Sequence, residues 1–260
     1  MRVRPPAVAG SFYPDDPELL RVMLQRLLRD NPCAGEKAPK ALIAPHAGYV
    51  YSGPVAARAY NRLVPLSERI SRVVLLGPAH YHPVQGLALP TVEAFATPLG
   101  PVPLDTESMA RLGDLPQVKS SDMPHAPEHS LEVQLPFLQI LLRDFRLVPL
   151  VVGDAAPEAV AEVLDRLWGG DETLIVISSD LSHYHPYAEA RDIDAATDRA
   201  IRELRSDLDG EQACGCHPIN GLMVAACRHG LQVAPLDLRN SGDTAGDKRR
   251  VVGYGAYALN

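Results

Sequence analysis

The fold is indicated by the stretch Ala41-Leu42-Ile43-Ala44-Pro45-His46, where a short apolar run ends at a proline and a histidine. Two further apolar runs end in a similar way. Residues 72–76 lead into Gly77-Pro78-Ala79-His80, and residues 173–177 lead into Ser178-Ser179-Asp180-Leu181-Ser182-His183. Short apolar runs bounded by turn residues are typical of strands buried in a parallel sheet. The sequence therefore predicts a sheet with histidine or aspartate at the ends of these three strands.

The rest of the chain alternates between apolar runs and segments with a helical period. Further strands are predicted at residues 145–152, 232–238 and 250–259. Helices are predicted after the Asp15-Asp16-Pro17 cap and at residues 53–63, 130–143, 157–167, 187–208 and 220–229. This alternation is typical of an α/β fold. Because no Gly- or Ser-rich linker divides the chain, we expect a single domain over residues 1–260, with a small hairpin between residues 86 and 127.

Composition excludes several classes of protein. The chain has 260 residues, of which 46% are hydrophobic, so it can bury a large core, and its four cysteines are too few for a disulfide scaffold. A formal net charge of -7 argues against a nucleic-acid partner. No apolar run reaches the roughly 18 residues of a membrane span, and Gly10 interrupts the first apolar run before it could serve as a signal peptide. We therefore expect a soluble, cytoplasmic protein with no membrane partner.

The polar residues at the strand ends predict a shared site. Ligands of open α/β sheets bind beyond the carboxyl ends of the strands, so His46, His80 and the 178–183 segment are expected to converge. Two or three imidazoles with one carboxylate suit a mid-row transition metal and leave positions open for a substrate. A single histidine after a strand is more often an ordinary hydrogen-bonded loop residue. Three such strand ends together favour a common polar site.

Three further segments each allow a functional and a structural interpretation. His129, within Glu128-His129-Ser130-Leu131-Glu132, either joins the catalytic residues or caps the following helix together with Glu132. Residues 240–247 either present a carboxylate to the site or form a tight turn, which the pattern alone favours. The cluster Cys214-Gly215-Cys216-His217 either brings sulfur near a metal or packs at a helix N-terminus, where the helix dipole would acidify the thiols. For this cluster we favour packing.

Seven motifs together resemble the Memo family, whose prokaryotic members are often called AmmeMemoRadiSam system protein B. In chain order they are Val8-Ala9-Gly10-Ser11-Phe12-Tyr13-Pro14, Pro45-His46-Ala47-Gly48-Tyr49, Leu76-Gly77-Pro78-Ala79-His80, Glu128-His129-Ser130-Leu131-Glu132, Ser178-Ser179-Asp180-Leu181-Ser182-His183, Cys214-Gly215-Cys216-His217-Pro218-Ile219 and Ser241-Gly242-Asp243-Thr244. The resemblance runs in order from about residue 3 to the C-terminus. It implies a three-layer α/β/α fold with a central, mostly parallel sheet, similar to the class III extradiol (LigB-type) non-haem iron dioxygenases.

The resemblance also implies roles for particular residues. His46 and His80 correspond to two metal-ligating imidazoles, and His183 to an acid/base histidine, with Asp180 beside it. His129 is predicted as a further catalytic residue from its own motif. The third metal ligand is expected in the last loop, where animal Memo proteins carry a cysteine. This chain has Thr244 at that point, and a threonine hydroxyl is a poor metal ligand, so Asp243 is predicted to complete a 2-His-1-carboxylate triad. The residues predicted to surround the ligands are Tyr49, Cys214, His217 and Thr244.

These residues lead to three hypotheses of function. The first is a metal-dependent oxidoreductase of the extradiol type, with Fe(II) as the expected ion and copper or zinc as alternatives. The second is a metallohydrolase that uses the same ligands to activate water. The third is a non-catalytic scaffold that binds metal or a peptide. A small molecule or a peptide is the expected substrate, and the family name implies AMMECR-type and radical SAM proteins as partners.

Overall fold

The structure is a computed structural model that describes residues 2–33, 35 and 37–260. Its strands are β1 (Val3–Arg4), β2 (Ala41–Ala44), β3 (Arg72–Pro78), β4 (Leu87–Leu89), β5 (Ala94–Thr97), β6 (Gly100–Pro103), β7 (Val118–Ser120), β8 (Arg146–Val152), β9 (Thr173–Ser178), β10 (His183–His185), β11 (Val233–Asn240) and β12 (Val251–Leu259). Its α-helices are α1 (Pro17–Asp30), α2 (Tyr49–Tyr60), α3 (Thr106–Ala110), α4 (Leu135–Leu141), α5 (Pro157–Leu167), α6 (Tyr187–Arg202), α7 (Cys216–His229) and α8 (Ser241–Thr244). Two 3₁₀ helices cover Asn61–Leu66 and Glu132–Gln134.

The buried apolar runs form a central sheet in the order β10-β12-β2-β9-β3-β8-β4-β7, and β11 also pairs with β12. The four middle strands, β2, β9, β3 and β8, run parallel to one another. Strands β10, β11 and β12 pair antiparallel at one side of this parallel core. Because β2, β9 and β3 are parallel neighbours, their carboxyl ends meet at one edge of the sheet.

Helices cover both faces of the sheet. Successive residues of a strand point to opposite faces, so Leu75 of β3 packs in one apolar core with α1, α2 and α4. Leu76 packs in a second apolar core with α5, α6 and α7. The two cores define three layers, which confirms the predicted α/β/α architecture with a mostly parallel sheet. None of the described helices is long and apolar enough to cross a membrane.

Several boundaries differ from those that periodicity predicts. Helix α2 begins at Tyr49 rather than at residue 53, because the amides of Tyr51 and Ser52 already bond to the carbonyl of Gly48. The helix predicted at residues 130–143 is divided: Pro136, which has no amide hydrogen, lies in the first turn of α4 and follows the 3₁₀ turn Glu132–Gln134. The small hairpin predicted between residues 86 and 127 is present as β5 and β6.

A buried ion pair attaches the N-terminal segment to the protein interior. Glu132, with no exposed surface, accepts hydrogen bonds from the Arg4 guanidinium at 2.7 Å and the Tyr13 hydroxyl at 2.5 Å. It also accepts from the backbone amides of Ala7 and Val8, at 2.7 and 3.0 Å. Glu132 is therefore an anchor for residues 4–13 and not the helix cap that the sequence left open. This anchoring places the neighbouring Phe12 against the site described next.

Candidate metal centre

Three histidines from distant parts of the chain meet at the carboxyl edge of the sheet. His46 follows β2, His80 follows β3, and His129 precedes the 3₁₀ helix Glu132–Gln134. One nitrogen from each ring lies within 4.8 Å of the others. Three nitrogens bound to one ion at about 2.1 Å lie about 3.0–3.6 Å from one another. The rings must therefore move closer together for all three nitrogens to bind a single ion.

The hydrogen bonds of His46 determine which of its nitrogens carries the lone pair. Its Nδ1 lies 2.8 Å from the hydroxyl of Ser178. That hydroxyl donates its proton to the Ser130 carbonyl at 2.6 Å, so it must accept the proton on His46 Nδ1. The lone pair of the ring is then on Nε2. Fixing the second nitrogen in this way is what metal-binding histidines ordinarily require.

Glu128 holds both of the other histidines. Its two carboxylate oxygens accept from the His80 backbone amide at 2.7 Å and from His80 Nδ1 at 2.8 Å, which leaves His80 Nε2 free. They also accept from the backbone amides of His129 and Ser130, at 3.0 and 2.9 Å. Burial alone would raise the pKa of Glu128, but the hydrogen bonds from His80 and from the Ser130 amide, with the electrostatic attraction of the His80 ring, outweigh burial and hold that pKa at about 2. Glu128 is therefore an anion at neutral pH.

Two of the three histidines, His46 and His129, are neutral at physiological pH. Burial, together with the neighbouring His80 and His129 rings, lowers the pKa of His46 well below its usual value. Burial lowers the pKa of His129 to about 4, despite the opposing charge of Glu128. Metal ions bind the neutral imidazole, so protons do not compete for these two rings near neutral pH.

An open cleft of about 690 Å³ lies over the three histidines. His183 and Asp180 line it, as the sequence predicted, together with Phe12, whose ring centroid is 4.8 Å from that of His129. Asp180 is buried and accepts from the His46 backbone amide at 2.8 Å, and burial raises its pKa to about 7. Burial also lowers the pKa of His183. The cleft therefore contains a neutral imidazole and a carboxyl group that titrates near neutral pH.

Asp243 is not brought to this cleft. Its side chain is exposed, one oxygen accepts from the Tyr187 hydroxyl at 2.6 Å, and the other accepts from the Asn240 amide at 3.1 Å. Asp243 and Asn240 form a reciprocal capping box around α8. The neighbouring Thr244 hydroxyl donates to the Ser241 carbonyl at 3.3 Å. The loop therefore has the local turn role that its pattern favoured, and His129 occupies the third place in the cluster.

The other residues predicted around the ligands have separate environments. Cys214 lines the cleft with its sulfur 3.4 Å from His46 Nε2. The thiols are not acidified as the helix position suggested, because burial raises the pKa of both Cys214 and Cys216. His217 bonds through Nδ1 to the Ala155 carbonyl at 3.0 Å, and Tyr49 donates to the Val133 carbonyl at 2.7 Å in the core. Neither His217 nor Tyr49 lines the cleft.

Sequence reasoning assigned no role to Glu128 and Ser178, which orient the histidine rings. Both lie within motifs that resemble the Memo family, and Glu128 directly precedes His129. A signal was therefore present in the acidic residue next to a candidate ligand. Pairing it with His80, 48 positions away in the chain, requires the tertiary structure.

Asp194 of α6 supports the segment that carries His183, and it provides a test of stability against pH. It is 3% exposed and accepts from the Ser182 amide at 3.0 Å. Burial raises its pKa from 3.8 to about 6, so stability from this group is fully present below pH 3.8 and is lost as pH rises through about 6. Relative to Asp194→Asn, the wild type should lose on the order of 2–3 kcal/mol of unfolding free energy between pH 4 and pH 7. Urea unfolding of both proteins across this range measures the difference, and parallel pH profiles would contradict it.

Comparison with known proteins assigns the chain to a family. The family described as Memo-like protein matches residues 4–258. A MEMO1 family protein of Aquifex aeolicus is 39% identical over 267 residues, with 98% of each chain covered. Those of Ignicoccus hospitalis and Aeropyrum pernix are each 37% identical, with 98% and 100% of both chains covered. The matched region includes the three histidines, Glu128 and the cleft, and the chain therefore belongs to the Memo family.

Proposed function

We propose that this chain is a metal-dependent oxidoreductase in which His46, His80 and His129 hold one metal ion at the base of the cleft. The observation that carries the proposal is the approach of three imidazole nitrogens to within 4.8 Å, beside an open cleft. Three imidazole nitrogen donors suit a mid-row divalent ion and leave coordination positions open toward the cleft. Fe(II) is the expected ion, and when bound it would supply those open positions and one-electron chemistry.

The protein's own residues would bind the substrate and move its protons. His183 is uncharged and lines the cleft, so it can accept a proton from a hydroxyl group bound beside the metal. Asp180 has a pKa of about 7, so it can hold or release a proton at physiological pH while it fixes the His46 backbone. Glu128 and Ser178 keep the Nε2 atoms of His80 and His46 available as ligands.

The size of the cleft indicates the class of substrate. Its volume of about 690 Å³ is within the range of about 300–1,000 Å³ that is typical of small-molecule sites. We therefore propose a small molecule, or a short part of a peptide, as the substrate. AMMECR-type and radical SAM proteins, which the family name implies as partners, would act with this chain in the same modification pathway.

A second candidate function, hydrolysis, is favoured because the third member of the cluster is His129 and not the predicted Asp243. Three histidines without a carboxylate ligand are the zinc donors of carbonic anhydrase, where the ion lowers the pKa of a bound water to about 7. The same histidines could therefore activate water with Zn(II). The identity of the bound ion separates the two functions.

The test is metal analysis of protein purified without oxygen, followed by oxygen uptake with a panel of catechols. We expect iron and substrate-dependent uptake in the wild type, and loss of the metal in His46→Ala and His80→Ala. His217→Ala is the matched control, because this histidine lies outside the cleft and should leave the metal content unchanged. Zinc without uptake would support the hydrolase, and metal without any turnover would support the scaffold. A wild type that binds no metal, or a His46→Ala protein that retains it fully, would refute the metal site.

A further inference from the structure

We infer that Glu128 is a positioning residue whose buried negative charge makes the histidine cluster prefer divalent over monovalent metal ions. This inference rests on the proposed metal function, and it adds a determinant of which ion the site selects. Glu128 is 2% exposed and touches His80 through both ring and backbone. It contacts His129 through the backbone amide at 3.0 Å. One carboxylate thus fixes two of the three histidines.

The surroundings of Glu128 require a carboxylate rather than a neutral acid. Four N–H groups point at its two oxygens: the backbone amides of His80, His129 and Ser130, and the ring Nδ1 of His80. A protonated carboxyl group would place its own hydrogen against one of these donors. The four bonds together satisfy a charged carboxylate in a place that water does not reach. The negative charge is therefore a built-in part of the cluster.

This charge lies one imidazole ring away from the position of the ion. The His80 ring bonds to Glu128 through Nδ1 at 2.8 Å, which leaves Nε2 as the nitrogen available to a metal ion. Among the described residues, Glu128 is the carboxylate that hydrogen-bonds to a ring of the cluster. Asp180 also lies in the cleft, but it bonds to the backbone amide of His46.

Coulomb attraction grows in proportion to the charge of the ion. The contribution of Glu128 to the binding free energy of Zn(II) should therefore be about twice its contribution for Cu(I). An affinity ratio depends exponentially on the difference in binding free energy, so doubling that difference squares the ratio. On removing the charge, the fold loss in Zn(II) affinity should therefore be about the square of the fold loss in Cu(I) affinity. Removing the outer partner of a metal-bound histidine typically costs about 10–100-fold in affinity. A purely structural role would instead weaken both ions alike.

The experiment is a pair of anaerobic competition titrations, with a Zn(II) chelator and a Cu(I) chelator, on the wild type and on Glu128→Gln. We expect a loss of about 100-fold for Zn(II) and about 10-fold for Cu(I). Glu211→Gln is the control, because it removes the same charge from an exposed position on the cleft wall, and its affinities should stay within about twofold of the wild type. Glu128→Asp keeps the charge, so its Zn(II) to Cu(I) ratio should stay near that of the wild type even if both affinities fall. If Glu128→Gln does not fold, which circular dichroism will reveal, a Zn(II) to Cu(I) affinity ratio that falls by about tenfold in Glu128→Asp would still overturn the inference.

Three results would overturn the inference. The first is equal losses for both ions in Glu128→Gln, and the second is no loss for either ion. The third is a shift in the Zn(II) to Cu(I) ratio in Asp180→Asn or Glu128→Asp that is as large as the one in Glu128→Gln. A wild type that binds neither ion is a different result, because it refutes the proposed metal site itself.

Discussion

Replacing Arg4 by methionine is expected to lower the free energy of unfolding by about 3–5 kcal/mol, because it leaves the buried Glu132 carboxylate without its cation. Arg4 and Glu132 have side-chain exposures of 4% and 0% and are 2.7 Å apart. The guanidinium also donates to the carbonyls of His125 and Glu128, at 2.6 and 2.5 Å. Removing it therefore leaves several buried acceptors unpaired, in the segment that carries two of the residues of the metal centre.

Denaturant unfolding of Arg4→Met measures this loss. The matched control is Arg111→Met, which removes an exposed i,i+4 pair with Glu107, at 50% and 85% side-chain exposure. Exposed pairs of this kind contribute only about 0.3–0.5 kcal/mol. A similar, small change in both variants would show that the Arg4 pair is not essential to the fold. Because Arg4 also holds the Glu128 carbonyl, we expect Arg4→Met to bind metal more weakly as well.

His129→Ala is expected to lose more than about 100-fold in Zn(II) affinity, whereas Asp243→Asn should bind Zn(II) as the wild type does. Removing a direct ligand should cost more than the roughly 10–100-fold typical of its outer partner. Asp243 is exposed and uses both oxygens in the α8 capping box and the bond from Tyr187. It therefore has no part in the cluster as folded.

Isothermal titration of the two variants decides between the ligand sets. Asp243→Asn also removes half of the capping box, so a small loss of stability of about 0.5–2 kcal/mol is expected in that variant alone. If Asp243→Asn loses the metal and His129→Ala retains it, the last loop must close onto the cleft when metal binds. That result would restore the 2-His-1-carboxylate triad predicted from the sequence.

The sheet and the place of the site could be predicted because both depend on local pattern. The apolar runs before His46, His80 and the 178–183 segment are the parallel neighbours β2, β3 and β9. A parallel sheet brings the carboxyl ends of such strands together by its geometry, so the two histidines and Asp180 had to meet. Helix boundaries were less accurate where a backbone contact decided them, as at Tyr49 and Pro136.

The third member of the cluster could not be predicted in this way. His129 follows a loop rather than a strand, so no strand periodicity places it. Asp243 was favoured because the resemblance to the Memo family implies a third ligand in the last loop, where Thr244 is a poor metal ligand. The carboxylate of Asp243 was drawn instead to amide and hydroxyl donors close to it in the folded loop. The hydrogen bond between Asp243 and the Asn240 amide joins residues three positions apart, so it forms without the entropy cost of closing a long loop. This lower cost favours the capping box over a contact with the cleft.

By itself, the sequence determined the parallel strands and the edge of the sheet at which the histidines lie, because these follow from the spacing of apolar residues and turns. The three layers were implied by the resemblance of its motifs to the Memo family. Only the tertiary structure decided which side chains face one another there. Glu128 reaches His80, Ser178 reaches His46, and Glu132 receives Arg4 from the far end of the chain. These contacts join residues 48, 132 and 128 positions apart. The physical reason is that a buried polar group needs a hydrogen-bond partner, and packing can supply that partner from any part of the chain. The partner therefore cannot be read from the separation of two residues in the sequence.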